Sequence, residues 1–165
     1  KDRAYATGEL GLFYVSNDKG DTWEQYETGY NGSLWAALIT TDDKVMLAGM
    51  SGNFILSTKN IDGAYEFKIN NNGSRNTLTN LINLNNGDIA ISGLGGVISI
   101  IDFNESSVST CVRQDRLGNT GLFEINENEL LVIGQRRSRV HNMQECYLSS
   151  LELTSVNTWL KKDIN

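Results

Sequence analysis

The amino-acid sequence predicts an all-β protein, a β-propeller whose blades are four-stranded antiparallel sheets. Strand-like runs end in a glycine at Gly8, Gly49, Gly93 and Gly134, which lie 41, 44 and 41 residues apart. Further strand-like runs lie at matching distances on both sides of these glycines, and apolar residues do not recur with the 3.6-residue period of helices. Four strands in a unit of 41–44 residues are typical of a propeller blade.

The repeated glycine is expected to open a tight hairpin between two strands of each blade. Three copies have the pattern Gly-x-x-Gly, and in the fourth, which Gly134 opens, an arginine replaces the second glycine. Glycine suits such a turn because its backbone adopts positive φ without a steric penalty. We therefore assign a structural role to the hairpin glycines Gly8, Gly11, Gly49, Gly52, Gly93, Gly96 and Gly134.

Each repeat is expected to run from an innermost to an outermost strand. The predicted strands are 5–7, 12–15, 22–26, 34–40, 45–49, 54–56, 64–69, 78–84, 89–93, 97–101, 108–112, 122–126, 131–134 and 158–160. The predicted repeats are 1–30, which lacks its innermost strand, 31–73, 74–117 and 118–165, all within one partial propeller domain. The 165 residues thus supply about three and three-quarter blades, and we expect a six- to eight-bladed ring completed by the same longer chain or by another chain.

One turn matches a known motif, S-x-D-x-G-x-T-W, in the residues Ser16, Asp18, Gly20, Thr22 and Trp23. This turn resembles the Asp-box of bacterial neuraminidase repeats, and the chain as a whole resembles the photosystem II assembly-factor-like propellers. The carboxylate of Asp18 is expected to accept turn amides, Gly20 to supply an unusual backbone angle, and Trp23 to pack between blades. The resemblance implies that the Asp-box is a folding motif away from the functional face, and not a metal site.

Five arginines are the candidate binding residues. Arg75 and Arg116 each lie 18 residues before a hairpin glycine, just ahead of a predicted innermost strand. Arg136, Arg137 and Arg139 occupy the fourth hairpin, with about ten further residues expected before the next strand. Together they predict a cationic patch suited to carboxylates or phosphates. The alternative for Arg75 and Arg116 is that they pair with blade-edge carboxylates or cap loop carbonyls. The alternative for the other three is a plain solvated loop.

The charge balance narrows the function classes. Twenty acidic and fourteen basic residues give a net charge of −6, which argues against nucleic-acid binding, and no apolar run is long enough for membrane insertion. The preferred function is a non-catalytic scaffold that binds a protein partner, or an anionic glycan or carboxylate ligand, through the arginines. The alternatives are a sialidase-like or other glycoside hydrolase, or a glycan-binding propeller of a cell-surface or virion protein. An extracytoplasmic or surface location is slightly favoured.

The remaining reactive side chains predict no catalytic residue, no metal and no cofactor. Cys111 and Cys146 lie 35 residues apart and fit no zinc-ligand spacing, so a disulfide and two free thiols both stay open. His141, the single histidine, lies in a polar stretch without a nucleophile-elbow glycine pattern. Trp35, with Tyr30 nearby, is expected to pack between blades or to stack on a sugar.

Overall fold

The computed structural model describes residues 3–40, 44–59, 65–103 and 106–147. These residues form fourteen strands in four antiparallel sheets, which we call blades 1 to 4 in chain order. Within each sheet every strand pairs with the next one along the chain. The prediction of an all-β fold with consecutive propeller-type blades is therefore confirmed. None of the helices in the described ranges is long and apolar enough to span a membrane.

The strands match the predicted positions closely. Blade 1 holds β1 (Ala4–Thr7), β2 (Leu12–Ser16) and β3 (Glu24–Glu27), and blade 2 holds β4 (Leu34–Ile39), β5 (Val45–Gly49), β6 (Asn53–Lys59) and β7 (Tyr65–Asn71). Blade 3 holds β8 (Leu78–Asn83), β9 (Ile89–Gly93), β10 (Val97–Asp102) and β11 (Ser107–Val112). Blade 4 holds β12 (Asn119–Asn126), β13 (Glu129–Gly134) and β14 (Ser138–Asn142), followed by the short helix α1 (Gln144–Tyr147). The predicted strand 158–160 lies outside the described residues.

The core consists of apolar layers between successive blades. In β9, Ile89 and Ile91 join the layer shared with blade 2, whereas Ala90 joins the layer shared with blade 4. In β5, Leu47 packs with blade 1 and Met46 with blade 3. Alternate residues of a strand point to opposite faces, so a strand covered on both faces needs a continuous apolar run. This requirement explains why these segments are apolar without alternation.

The hairpin glycines allow successive blades to approach closely at one edge. Gly11 and Gly52 have φ of +70° and +74°, and a Cβ atom on either would overlap the backbone carbonyl oxygen of Tyr30 or Ser74 in the connection to the next blade. The amide of Gly52 donates to the carbonyl oxygen of Asn76 at 2.7 Å. We call this edge the hairpin rim; it comprises the hairpins 8–11, 49–52, 93–96 and 134–137 and the inter-blade loops 28–33, 72–77 and 113–118.

The opposite rim contains the turn that matches the sequence motif. Thr22 donates to the two carboxylate oxygens of Asp18 from its backbone amide at 2.9 Å and from its hydroxyl at 2.6 Å. These bonds and one from the Ser16 hydroxyl lower the pKa of Asp18 to about 2. Gly20 has the expected positive φ, 104°. The carboxylate therefore organises the turn as predicted.

Three local predictions were wrong. Trp23 is 45% exposed, and its indole donates to the carbonyl oxygen of Gly20, so the ring covers its own turn and does not pack between blades. Trp35 is 59% exposed because it lies at a register shift between Leu34 and Ala36, where β4 bulges away from β5. Its expected packing between blades was therefore wrong, and stacking on a sugar stays a prediction. The expected ten-residue extension after Arg139 is replaced by β14, which pairs with β13 immediately after the fourth hairpin.

Candidate functional site

The five candidate arginines are exposed and lie on or beside the hairpin rim. Arg75 precedes β8 at the connection between blades 2 and 3, and Arg116 precedes β12 at the connection between blades 3 and 4. Arg136 and Arg137 form the turn between β13 and β14, where the carbonyl oxygen of Arg137 accepts a bond from the amide of Gly134. Arg75 and Arg116 are thus separated by a blade, whereas the other arginines belong to blade 4.

An ion network links β14 to the end of blade 3. Asp115 accepts a hydrogen bond from the guanidinium group of Arg113 at 2.7 Å and lies 3.8 Å from that of Arg139. Arg113 is only 8% exposed, and its other terminal nitrogen donates to the side-chain oxygen of Asn119 at 2.9 Å. The buried Asn119 donates in turn to the carbonyl oxygen of Val97. Arg113 is therefore fixed in place, whereas Arg139 is 42% exposed and accessible.

The network keeps Asp115 ionised. Removal from water would by itself raise the pKa of this carboxyl, but the backbone amide of Leu117 and the charges of Arg113 and Arg139 outweigh that effect and lower it. Two guanidinium groups thus share the carboxylate of Asp115, and Glu145 adds a second carboxylate to the lining of the adjacent cavity.

A cavity of about 560 Å³ lies beside this network, between the end of β11 and strand β14. Its lining includes both arginines and Asp115, together with residues from the end of blade 4. The lining residues are Thr110, Cys111, Val112, Arg113, Gln114, Asp115, Arg139, Val140, His141 and Glu145. This size is within the range of small-ligand pockets, and backbone groups and charged side chains both face it.

The two cysteines form a disulfide between β11 and α1, and Cys111 is one of the residues that line the cavity. The structure therefore selects the disulfide from the two possibilities that the sequence left open. His141 Nε2 lies 3.5 Å from Sγ of Cys111 and 3.4 Å from Sγ of Cys146. Burial lowers the pKa of His141, and although Glu145 opposes this effect, the imidazole is favoured in its neutral form.

Sequence reasoning missed two features of this site. Arg113 lies 21 residues before Gly134, as Thr28 and Asn72 lie 21 residues before Gly49 and Gly93. Thr28 and Asn72 are also buried polar residues that bond to the adjacent hairpin or blade. That repeat position is the signal that identifies Arg113 as a fixed side chain. No spacing rule indicated the Cys–His cluster, because its members come from different elements.

Comparison with known proteins finds similarity among solved structures. No family model matches the chain, and no curated protein matches it. The solved structure described as "YCF48 bound to D1 peptide" is 10% identical, with a TM-score of 0.44. The match covers 86% of this chain and 60% of that one, so the chain spans less than two thirds of its length. The assignment of propeller-type blades above rests on the strand topology of the chain itself.

Proposed function

We propose that this protein is a non-catalytic interaction module that binds an acidic segment of a protein partner on the hairpin rim. The observation behind this proposal is the uneven distribution of charge. The chain has a net charge of −6, yet Glu9 and Asp115 are the only acidic residues in the hairpins and inter-blade loops of this rim. The arginines on or beside it are Arg75, Arg113, Arg116, Arg136, Arg137 and Arg139.

The opposite rim has the reverse balance. Its described turns and adjoining strand ends contain the basic residues Arg3, Lys19, Lys44 and Lys59, and the acidic residues Asp18, Asp21, Glu24, Asp88, Asp102, Glu127 and Glu129. A molecule with one positive and one negative edge orients an approaching acidic partner toward the positive edge. We include in this proposal that the Asp18 turn is an Asp-box with a purely structural role on the negative edge.

The cavity supplies a specific point of attachment within the positive rim. Arg139 is accessible and lies against the same Asp115 carboxylate that holds the buried Arg113, so a carboxylate entering the cavity meets an accessible guanidinium group beside a fixed one. Arginine binds carboxylates through two parallel hydrogen bonds, which gives both charge and geometric selectivity. A glutamate or aspartate side chain of the partner, with flanking residues along the rim, fits this arrangement.

The test uses a synthetic oligoglutamate peptide and the full chain carrying Arg136→Glu, Arg137→Glu and Arg139→Glu. We expect the unchanged chain to bind the peptide with an affinity that falls as salt is added, and the triple variant to bind about tenfold more weakly. The matched control, Arg3→Glu with Lys19→Glu and Lys44→Glu, reverses the same number of charges on the opposite rim and is expected to bind within about twofold of the unchanged chain. Calorimetry gives the affinities, and thermal unfolding shows that all proteins remain folded.

Equal binding by the triple variant and the unchanged chain would contradict the proposal, as would an equal loss in the opposite-rim control. A fluorogenic sialoside and aryl-glycoside panel tests the enzyme alternative. Turnover that is abolished by Arg75→Ala and Arg116→Ala would replace the interaction module with a glycoside hydrolase. We expect no turnover.

A further inference from the structure

Two cysteines and a histidine bring their sulfur and nitrogen atoms together beside the cavity. The ligand atoms of Cys111, His141 and Cys146 all lie within 4.8 Å of one another, the only such group of metal-binding side chains in the described part of the chain. They come from β11, β14 and α1, three elements that the fold holds together. Two thiolates and an imidazole are ligands that zinc prefers.

The orientation of His141 is that of a metal-bound imidazole. Its Nε2 atom faces both sulfur atoms, at 3.5 Å and 3.4 Å, while Nδ1 lies 3.7 Å from a carboxylate oxygen of Glu145. Histidines that bind zinc through one nitrogen are usually oriented by a carboxylate or carbonyl on the other. Glu145 is therefore the group placed to orient the ring, at ion-pair distance from Nδ1.

The cluster is enclosed on one side and open on the other. Cys146 is fully buried among apolar residues that include Ile98, Leu130 and Met143. Cys111, His141 and Glu145 also line the 560 Å³ cavity, which gives an ion a path from solvent. Zinc sites in proteins require such an access path together with complete ligands and a supporting outer layer.

We propose that reduction of the Cys111–Cys146 disulfide converts this cluster into a zinc site with Cys111, Cys146 and His141 as ligands. The reductant is a dithiol: it transfers two electrons and two protons, the S–S bond breaks to give two cysteine thiols, and the dithiol closes into its own disulfide. Zinc then replaces the two thiol protons, which pass to solvent. A zinc ion held by these three residues would have one further coordination position, for water or a carboxylate, and the cavity lined by Cys111 and His141 would give access to it.

This inference rests on the cysteine and histidine cluster and not on the proposed function, so each can fail without the other. Oligoglutamate binding does not require the reduced form, and zinc binding does not require the arginines.

The experiment reduces the full chain with a phosphine, which binds zinc poorly, and titrates it with zinc alone against a chromogenic chelator. We expect one zinc ion per reduced chain and none per oxidised chain. Cobalt in place of zinc is expected to give the thiolate-to-metal charge-transfer absorption of a tetrahedral site. Thermal unfolding of the reduced chain is expected to shift upward on zinc addition, because the ion binds the folded state.

Substitutions distinguish specific zinc binding at this cluster from adventitious binding elsewhere. Cys111→Ser with Cys146→Ser is expected to abolish zinc binding and the charge-transfer band. His141→Ala is expected to weaken binding at least 100-fold, and Glu145→Gln about 10–100-fold, the effect usual for an orienting carboxylate. Glu127→Gln, an exposed acidic residue on the opposite rim, is the matched control and is expected to leave the affinity unchanged.

Two results would overturn the proposal: a reduced chain that binds no more zinc than the double serine variant, or an oxidised chain that binds equally well. Circular dichroism follows the fold throughout. If reduction unfolds the chain, zinc-driven refolding that His141→Ala prevents supports the site, and failure of zinc to restore the fold contradicts it.

Discussion

The outer strands of blades 1 and 2 meet through aromatic rings, whereas those of blades 3 and 4 meet through a disulfide and charged groups. In the first junction, the rings of Tyr26 on β3 and Tyr65 on β7 pack edge to face at 5.0 Å, next to the fully buried Phe13. In the second, the Cys111–Cys146 bond joins β11 to α1, and Asp115 after β11 lies 3.8 Å from Arg139 of β14. The same blade architecture thus allows two chemically different kinds of contact between adjacent blades.

Because of this difference, the stability of the two junctions depends on different solution conditions. Packing of aromatic rings depends on surface removed from water and is indifferent to redox state and, at ordinary concentrations, to salt. A disulfide beside a histidine and an ion pair depends on reductant, pH and ionic strength. The first junction is therefore a constant part of the fold, and the second is the part that can respond to its surroundings.

The largest expected effect comes from breaking the aromatic junction with Phe13→Ala. Phe13 is fully buried and lies between four rings, those of Tyr5, Tyr26, Tyr65 and Phe67. Its removal is expected to lower the free energy of unfolding by about 3–5 kcal/mol, measured by denaturant titration. The neighbouring Tyr14→Ala, on the other face of β2, is the control and is expected to cost about 1 kcal/mol or less. Equal losses in the two variants would show that the ring cluster has no special role.

A smaller loss is expected when the disulfide of the other junction is removed. The bond joins residues 35 positions apart, and Cys111→Ser with Cys146→Ser is expected to lower the free energy of unfolding by about 2–4 kcal/mol. Denaturant titrations with and without reductant, in the presence of a chelator, measure the effect. Reductant should destabilise the unchanged chain and Phe13→Ala by similar amounts, because the two sites are distant. A double serine variant that still responds to reductant would contradict this assignment.

The smallest expected effect lies outside both junctions, in the turn held by Asp18. The pKa of Asp18 in the folded chain is about 2, below the ordinary value of 3.8, because hydrogen bonds from Thr22 stabilise its charged form. The stabilisation is complete above the ordinary value and is lost as pH falls through the folded value. Its window is therefore about pH 4 to pH 2, as set by these two pKa values.

An NMR titration of the Asp18 carboxyl carbon checks this prediction. Asp18→Asn is the companion variant and is expected to flatten the acid limb of the unfolding curve slightly, while leaving reductant sensitivity unchanged. A carboxyl that titrates at its ordinary pKa would show that the turn does not hold the charge.

Much of the fold could be predicted because its repeat depends on the backbone. Hairpins that need glycine and strands that are apolar on both faces leave a periodic trace in the sequence, and so β5 and β9 were placed correctly. Strand β14 leaves no such trace. Its sequence, with Arg139 and His141 in alternate positions, lacks an apolar pattern. The strand forms because the edge of β13 is available to pair with it.

The side chains that departed from prediction did so through local geometry. Trp23 finds a hydrogen-bond partner within its own turn, and Trp35 lies on a bulge, and neither property follows from residue type. The cysteine pairing depends on the lengths of two hairpins and on a short helix, so a spacing of 35 residues contains no information about it. The repeat alone was enough to place the five arginines near the rim. The network of Arg113 and Asp115 could not be predicted, because it forms only when β14 pairs with β13 and brings Arg139 to Asp115.

The tips of the hairpins are suitable positions for engineering. The exposed Met50, Leu94 and Gln135 are each anchored by a backbone amide that bonds to the residue just before the innermost strand of the same blade. Their side chains take no part in those bonds, and Glu9 occupies the matching tip in blade 1. The tips are therefore interchangeable positions on a fixed frame, and randomising them offers a route to new binding specificities without redesign of the blades.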